Sequence, residues 1–267
     1  MVDINPDHDG HGMVSMNTAI LIPARMKSSR LPGKPLIKLG NKFMIQRVYD
    51  ECVKSGLDVY VLTDSENIAA LFEENAVSIS EKDYANGTER CADAIRHKMF
   101  DPYDSFINVQ GDMPDISQDI IQTTLNKLKW IDDYSVTTMY TNMKRDLQND
   151  PNSVKMILDS DNRALWFGRG MKYGEHHLGI YGYSRDSLTQ YPQLKIPKEE
   201  TIEGLEQLRW LKAGYNIGCI HTEFDGIEIN TLNDAIEWRR KHGQVQNFET
   251  AQSSAAMHHY LRGDLPN

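Results

Sequence analysis

Residues 18–35 read TAILIPARMKSSRLPGKP, and the fold class is most easily recognised from this stretch. Its first part, Thr18–Pro23, is a short apolar run closed by a proline, which is typical of a buried parallel strand. A loop rich in Gly, Pro, Ser and Lys follows. Beyond the loop, Met44, Val48 and Cys52 recur at helical spacing. The stretch therefore predicts the first strand, loop and helix of an α/β sheet.

Strands and helices continue to alternate as far as about residue 129. We expect strands at Val59–Thr63 and Ser105–Val109. The expected helices run from a cap at Asp64 or Ser65 to Phe72, from Thr88 to His97, and from Ser117 to about Lys129. Alternation at such short intervals predicts βαβ units with right-handed crossovers and a parallel sheet covered by helices on both faces.

From Ser135 the pattern changes to successive strand-like segments. These segments are Ser135–Tyr140, Val154–Leu158, Ala164–Phe167 and Leu178–Tyr183, and we expect them to extend the same sheet in antiparallel fashion. Later segments predict a helix over Glu200–Lys212, strands at Asn216–Ile220 and Gly226–Ile229, and a helix from about Thr231 to Lys241. The whole pattern predicts an α/β protein with a mixed sheet.

Composition excludes several classes of protein. The 267 residues are 40% hydrophobic and 25% charged, which is ordinary for a globular chain and excludes wholesale disorder. No apolar run reaches the ~18 residues of a membrane span, and the acidic N-terminus differs from a secretory signal, so we expect a cytoplasmic protein. The net charge of −9 argues against a nucleic-acid partner. Cys52, Cys91 and Cys219 lack CxxC spacing, which indicates ordinary reduced residues.

The two ends of the chain are polar. Residues 1–16 are predicted to be a flexible lead-in, and Met13 and Met16 are alternative start positions. His8 and His11 beside acidic residues offer a metal-binding alternative for this segment. Residues 243–267 are predicted to form a C-terminal extension, either a peripheral helix or a tail.

The loop after the first strand carries the strongest functional signal. Between Asn17 and Tyr49 there is no acidic residue, although the chain as a whole is acidic. Seven cations lie there: Arg25, Lys27, Arg30, Lys34, Lys38, Lys42 and Arg47. With Gly33 and Ser28/Ser29, such a loop at the carboxyl edge of a sheet predicts a cradle for a polyphosphate. The alternative is a solvated basic loop. Neither GxxxxGK[ST] nor GxGxxG occurs, which argues against kinases and dehydrogenases.

Two further segments point to the same edge. Asp112 follows the strand at Ser105–Val109 and lies beside a glycine, so it is a candidate Mg²⁺ ligand, with a turn cap as the alternative. The sequence Asn86-Gly-Thr-Glu-Arg90 predicts either a helix cap at Thr88 or a pocket for a nucleotide base.

Together these segments resemble the CMP-Kdo synthetases (3-deoxy-manno-octulosonate cytidylyltransferases). The resemblance spans about Ile20 to Trp238 in the family's order. The motifs that carry it are Ile22–Arg25, Arg30–Leu36, Asn86–Arg90, Asn108–Asp112, Ala164–Arg169, His177–Tyr183 and Ile202–Arg209. It implies a three-layer nucleotidyltransferase sandwich, similar to a Rossmann fold, with a smaller antiparallel region for sugar binding and dimerisation. It also implies a domain over residues 17–242, with a nucleotide half at about 17–134 and a sugar and dimer half at about 135–242.

The implied reaction transfers CMP from CTP to the anomeric hydroxyl of an acidic keto-sugar and releases pyrophosphate, for envelope or capsule polysaccharide. By resemblance, Arg25, Lys34 and Asp112 are catalytic, and Asp112 and Asn230 hold Mg²⁺. The implied nucleotide contacts are Arg25, Ser28, Ser29, Arg30, Lys34, Asn86, Gly87, Thr88, Arg90 and Gln110. The implied sugar contacts are Gln110, Arg169, His177, Tyr181, Glu206 and Gln207. Alternatives are that His177 is a hydrogen-bonded core residue, and that Glu200, Glu203 and Glu206 form a solvated helix face.

This sequence departs from the family pattern at several positions. Asn230 replaces the aspartate that completes the family's magnesium site, and Glu228 lies two residues away, where it offers a replacement carboxylate. Met113 replaces the usual Glu, Gly168 a Ser and Gly170 an Ala. Two other functions therefore stay open: a cytidylyltransferase for another acid sugar or acceptor, and a catalytically weak homologue that binds nucleotide.

Overall fold

The computed structural model describes residues 16–28, 30–128 and 136–244. Ser29, the lead-in before residue 16 and the C-terminal extension after residue 244 lie outside the described residues. So do residues 129–135, where the boundary between the two predicted halves falls. The division of the chain into these parts stays a prediction.

The secondary structure alternates between strands and helices along the chain. The strands are β1 (Thr18–Ala24), β2 (Lys38–Leu39), β3 (Lys42–Phe43), β4 (Asp58–Thr63), β5 (Val77–Ile79), β6 (Ser105–Asn108), β7 (Val136–Thr141), β8 (Lys155–Leu158), β9 (Ala164–Gly168), β10 (Glu175–Ser184) and β11 (Ile217–His221). The α-helices are α1 (Met44–Val53), α2 (Glu66–Ala69), α3 (Gly87–Ala94), α4 (Gln118–Leu128), α5 (Arg185–Gln190), α6 (Lys198–Glu203), α7 (Gln207–Lys212) and α8 (Leu232–Lys241). Short 3₁₀ turns cover Lys34–Leu36, Glu74–Ala76, Lys98–Phe100 and Tyr191–Gln193.

One large mixed sheet organises the described chain. Its order is β11-β7-β10-β6-β1-β4-β5, with β8 paired to β10 and β9 paired to β8. Strands β6, β1, β4 and β5 are parallel, whereas β10 is antiparallel to both β6 and β7. The predicted parallel half and its antiparallel extension are therefore confirmed. Strand β11 returns parallel to β7, and β2 and β3 form a separate hairpin.

Alternating side chains of β1 fill a core on each face of the sheet. Ile20 and Ile22 pack into a cluster with Val48 of α1 and residues of α4. Leu21 points to the opposite cluster, which contains Trp210 and residues of α3 and α5. Because successive side chains of a strand face opposite ways, this burial on both faces produces the three layers expected from the sequence. All three cysteines are free and buried, as predicted.

Several element boundaries differ from the predictions. The helix expected over residues 200–212 is two helices, α6 and α7, because Gly204 adopts a left-handed conformation (φ 63°) that ends the first. Asn86, rather than Thr88, caps α3, since its side chain accepts a hydrogen bond from the Glu89 N–H. The segment Gly226–Ile229 forms no strand; its Ile229 N–H instead donates to the Asp112 carbonyl at 2.9 Å. The helix expected to reach Phe72 ends at Ala69. Within the described ranges, no helix is both long and apolar enough to cross a membrane.

Candidate active site

The loops that follow β1 and β6 meet at the carboxyl edge of the sheet. Gly33, at φ 69°, closes the first loop by donating its N–H to the Met26 carbonyl, and this turn directs Lys34 towards the neighbouring strand. Lys34 Nζ donates to Asp112 Oδ2 at 2.6 Å. The structure therefore brings the basic loop and the candidate metal ligand into direct contact.

Two connected cavities open on this edge. The smaller, of about 220 Å³, lies against the basic loop, and the larger, of about 530 Å³, lies over β10 and the α6–α7 region. Six residues line both cavities: Arg25, Arg30, Asn86, Gly87, Gln110 and Asp112. We call these six residues the shared wall. The arrangement suits two ligands, one in each cavity, that meet at this wall.

The smaller cavity is strongly cationic. Among the described residues, its lining contains Arg25, Lys27, Arg30, Lys34 and Arg90, against one acid, Asp112. Among the described residues, no protein group accepts a hydrogen bond from the Arg25 guanidinium, so its donors are available to a ligand. This concentration of positive charge is suited to a polyphosphate.

Other predicted nucleotide contacts have structural tasks as well. Arg90 is buried, lies 3.6 Å from Asp64 and stacks over the Tyr84 ring. Ser28 Oγ accepts from the Leu31 N–H at 3.4 Å. Both Ser28 and Arg90 still line the smaller cavity.

The structure places Thr88 behind the cavity wall. Its hydroxyl lies 3.0 Å from the Tyr183 hydroxyl, and its N–H donates to Glu206 Oε2 at 2.9 Å. Asn86 donates its amide to the Tyr191 hydroxyl at 3.0 Å. Gly87 begins α3, and a side chain there would meet Pro23 Cγ at 3.2 Å. Thus Asn86 and Gly87 line both cavities, whereas Thr88 lines neither among the described residues.

All six predicted sugar contacts line the larger cavity, and Arg169 is the cation among them. The Arg169 guanidinium donates to the carbonyl oxygens of Asn152 and Glu203 at 2.7 and 3.1 Å. Burial, followed by the positive charge of Arg30, lowers the pKa of Arg169. Four arginines line this cavity among the described residues, and one of them, Arg209, is paired with glutamates. The guanidinium groups of Arg25, Arg30 and Arg169 favour an anionic ligand such as a sugar carboxylate.

The aromatic side of the larger cavity is neutral. Burial lowers the pKa of His177 to about 3, so its ring is uncharged at neutral pH. His177 Nε2 lies 2.8 Å from Thr138 Oγ1, which agrees with the hydrogen-bonded alternative without removing the ring from the cavity wall. Tyr181 donates its hydroxyl to Gln207 Oε1 at 3.1 Å. Gln207 Nε2 is buried and has no partner among the described residues, so it is a donor available to a ligand hydroxyl.

The acidic helix residues belong to a buried network rather than a solvated face. Arg209 donates to both oxygens of Glu200, at 2.8 and 2.5 Å, and to Glu89 at 2.8 Å. Glu206 is half-buried and accepts a hydrogen bond from the Thr88 N–H, and desolvation raises the pKa of its carboxyl group. The alternative of a solvated face is therefore wrong for Glu200 and Glu206. Sequence reasoning assigned no role to Arg209, because nothing in its local sequence indicates burial.

Three candidate metal ligands line the larger cavity: Asp112, which also lines the smaller one, Glu228 and Asn230. Asn230 Oδ1 accepts from Arg30 at 3.2 Å. Glu228 Oε1 is shielded from solvent and has no hydrogen-bond partner among the described residues. Burial and the Asp112 charge raise the pKa of Glu228 to about 8. Carboxylate and amide oxygens beside a cationic cavity fit Mg²⁺, which takes hard oxygen ligands and completes its coordination with phosphates and water. In the described part of the chain, no three His, Cys, Asp or Glu side chains form a metal cluster by themselves.

Comparison with known proteins agrees with this geometry. The profile of the family described as cytidylyltransferase matches residues 19–217, and the chain belongs to this family. An 8-amino-3,8-dideoxy-manno-octulosonate cytidylyltransferase of Shewanella halifaxensis is 38% identical over 82% of this chain and 96% of that protein. A 3-deoxy-manno-octulosonate cytidylyltransferase of Acaryochloris marina is 35% identical over 83% and 96%.

A solved structure agrees with the relatives. The CMP:2-keto-3-deoxy-manno-octonic acid synthetase complexed with CTP is 31% identical, superposes with a TM-score of 0.77, and covers 85% of this chain and 99% of that one. The resemblance to the CMP-Kdo synthetases is therefore confirmed. The roles assigned to individual residues stay predictions.

Proposed function

We propose that this protein transfers CMP from CTP to the anomeric hydroxyl of a Kdo-type acidic sugar and releases pyrophosphate. The observation that carries the proposal is a pair of cavities that share Asp112, the partner of Lys34. One cavity is cationic and the other is lined by the predicted sugar contacts. The matched relatives act, by their names, on 3-deoxy-manno-octulosonate and its 8-amino derivative.

In the proposed reaction, the anomeric oxygen of the sugar forms a bond to the α-phosphorus as the bond to the bridging oxygen of the β-phosphate breaks. Pyrophosphate leaves with the electron pair, and the hydroxyl proton is released. Arg25 and Lys34 neutralise the triphosphate and the charge that develops on the leaving group. Gln110, at the shared wall, is placed to contact both substrates. The fold thus works mainly by aligning two anions and compensating their charge.

The larger cavity supports an acidic sugar as acceptor. Arg169 and Arg30 face the sugar carboxylate, while Gln207 Nε2, Tyr181 and His177 contact its hydroxyl groups. Because His177 is neutral, it adds no positive charge on the side of the cavity where the sugar presents hydroxyl groups.

Mg²⁺ is the proposed cofactor, with Asp112 as its principal protein ligand and a second ligand from the segment that carries Glu228 and Asn230. When bound, the ion screens the negative charge of the α-phosphate and of the sugar carboxylate. We further propose a cytoplasmic homodimer that supplies activated sugar for envelope lipopolysaccharide or capsule polysaccharide.

Pyrophosphate release tests the proposal. The protein is assayed with each of the four nucleoside triphosphates and with Kdo, 8-amino-Kdo and other acid sugars, with Mg²⁺ and with a chelator. We expect CTP-specific, metal-dependent turnover on a Kdo-type sugar. Turnover only on an unrelated acid sugar would support the first alternative, and CTP binding without turnover would identify a nucleotide-binding homologue.

A further inference from the structure

Two side chains, one a carboxylate and one an amide, are candidates for a second metal ligand beside Asp112. Glu228 and Asn230 are two residues apart, and both line the larger cavity with Asp112. The Ile229 N–H between them donates to the Asp112 carbonyl at 2.9 Å, which fixes this segment beside the loop that follows β6. Both side chains therefore lie along the cavity that Asp112 also lines.

The side-chain oxygen of Asn230 already accepts a hydrogen bond from a protein cation. Asn230 Oδ1 accepts from one nitrogen of Arg30 at 3.2 Å, while the other nitrogen donates to Asn152 Oδ1 at 2.5 Å. The two amides hold the Arg30 guanidinium across the shared wall, where it lines both cavities. A metal ion on Asn230 Oδ1 would have to displace this cation.

Glu228 is in the opposite situation. Its Oε1 is shielded from solvent and accepts no hydrogen bond within the described residues. Glu228 lines the larger cavity together with Asp112, whose carboxylate is paired with Lys34. As a metal ligand, a carboxylate contributes the negative charge that an amide lacks.

We infer that Glu228, rather than Asn230, supplies the second acidic ligand for the divalent metal ion at Asp112. Asn230 is then a positioning residue that orients Arg30 for the anionic substrates. The inference rests on the proposed function, since the metal accompanies CTP. It also explains how this chain can have Asn230 where the family pattern has an aspartate, because the Glu228 carboxylate then serves as the metal ligand instead.

Metal binding tests the inference without relying on turnover. Mn²⁺ is titrated into the protein with CTP and no sugar, free Mn²⁺ is followed by electron paramagnetic resonance, and the metal held by free CTP is subtracted. Glu228→Gln should weaken Mn²⁺ binding about tenfold or more, because a charged ligand is lost. Asn230→Ala should change it less than about threefold and should instead raise the KM for the sugar.

Glu223→Gln is the matched control, because Glu223 belongs to the same segment and its side chain is 86% exposed. Melting temperature and CTP affinity in chelator show whether each variant is folded. Equal Mn²⁺ affinity in wild type and Glu228→Gln, with CTP still bound, would overturn this inference alone. If that variant instead lost preference for the 8-amino sugar, the carboxylate would contact the sugar's ammonium group, which also overturns it. A wild-type protein that bound no CTP would overturn the proposed function itself.

Discussion

Removal of the Lys34 charge is the perturbation that tests the site most directly. The Lys34 and Asp112 side chains are 19% and 21% exposed, so they lie at the boundary between protein and solvent. An ammonium group about 4 Å from a phosphate charge there contributes roughly 4 kcal/mol at an effective dielectric constant of ~20. Loss of one such transition-state partner typically costs about 2.7–4 kcal/mol. Lys34→Met should therefore lower kcat by roughly 10²–10³.

The assay is continuous pyrophosphate release at saturating CTP, Mg²⁺ and sugar. Lys42→Met is the control, since Lys42 forms a similar 2.5 Å pair with Asp50, but those side chains are 48% and 41% exposed and lie away from both cavities. Exposed ion pairs contribute about 0–1 kcal/mol to stability. Lys42→Met should therefore leave kcat unchanged.

Asp112→Asn extends the test to the partner of Lys34. Alone, it should also lower kcat by about 10² or more. Because the two side chains are in contact, the double variant should lose less than the product of the single losses. A Lys34→Met rate within tenfold of wild type, with normal CTP affinity, would refute the assigned role.

Three further predictions concern stability. Since the folded pKa of His177 is about 3 and that of an unfolded histidine is about 6.5, the unfolded chain binds the extra proton, and stability falls as the pH drops below 6.5. Between pH 7 and pH 5, His177→Gln should therefore lose about 2 kcal/mol less free energy of unfolding than the wild type, as measured by urea titrations. The same dependence of unfolding free energy on pH in both proteins would contradict this. Arg209→Met should lower the free energy of unfolding by about 3–5 kcal/mol, because it leaves the buried Glu200 carboxylate without its cation. Lys212→Met removes an exposed ion pair and should lower it by less than about 1 kcal/mol. Equal unfolding midpoints for the two variants would contradict the stabilising role of the buried network. Gly204→Ala should lower the free energy of unfolding by about 1–2 kcal/mol, because an alanine is strained at φ 63°. Gly170→Ala is the control, since φ is not positive there, and its melting temperature should stay closer to that of the wild type.

Local pattern was sufficient for the central strands and for the chemistry of the basic loop. The apolar runs that form β1, β4 and β6 are continuous, because both faces of a parallel sheet are buried, and such runs are visible in the sequence. The charge reversal around Lys34 and the isolated Asp112 were visible in the same way. The structure shows that these two residues meet, although 78 positions separate them.

The parts that sequence could not predict depend on contacts between distant segments. Arg30 and Asn230 are 200 residues apart, and the pattern around position 230 gives no sign that its amide binds a guanidinium. The two-residue strands β2 and β3 are too short for periodicity to detect. The break at Gly204 was missed because a glycine within a helical pattern is compatible with either a continuous helix or a C-cap.

The position of β10 determines how this chain can be divided. Strand β10 follows the predicted nucleotide half in sequence, yet it pairs directly with β6, whose other neighbour is β1. A recombinant fragment that stopped near residue 128 would leave the backbone N–H and C=O groups of β6 along an open edge, which is a template for self-association. We therefore expect such a fragment to aggregate during expression, so that truncation cannot separate the two substrate sites for independent study.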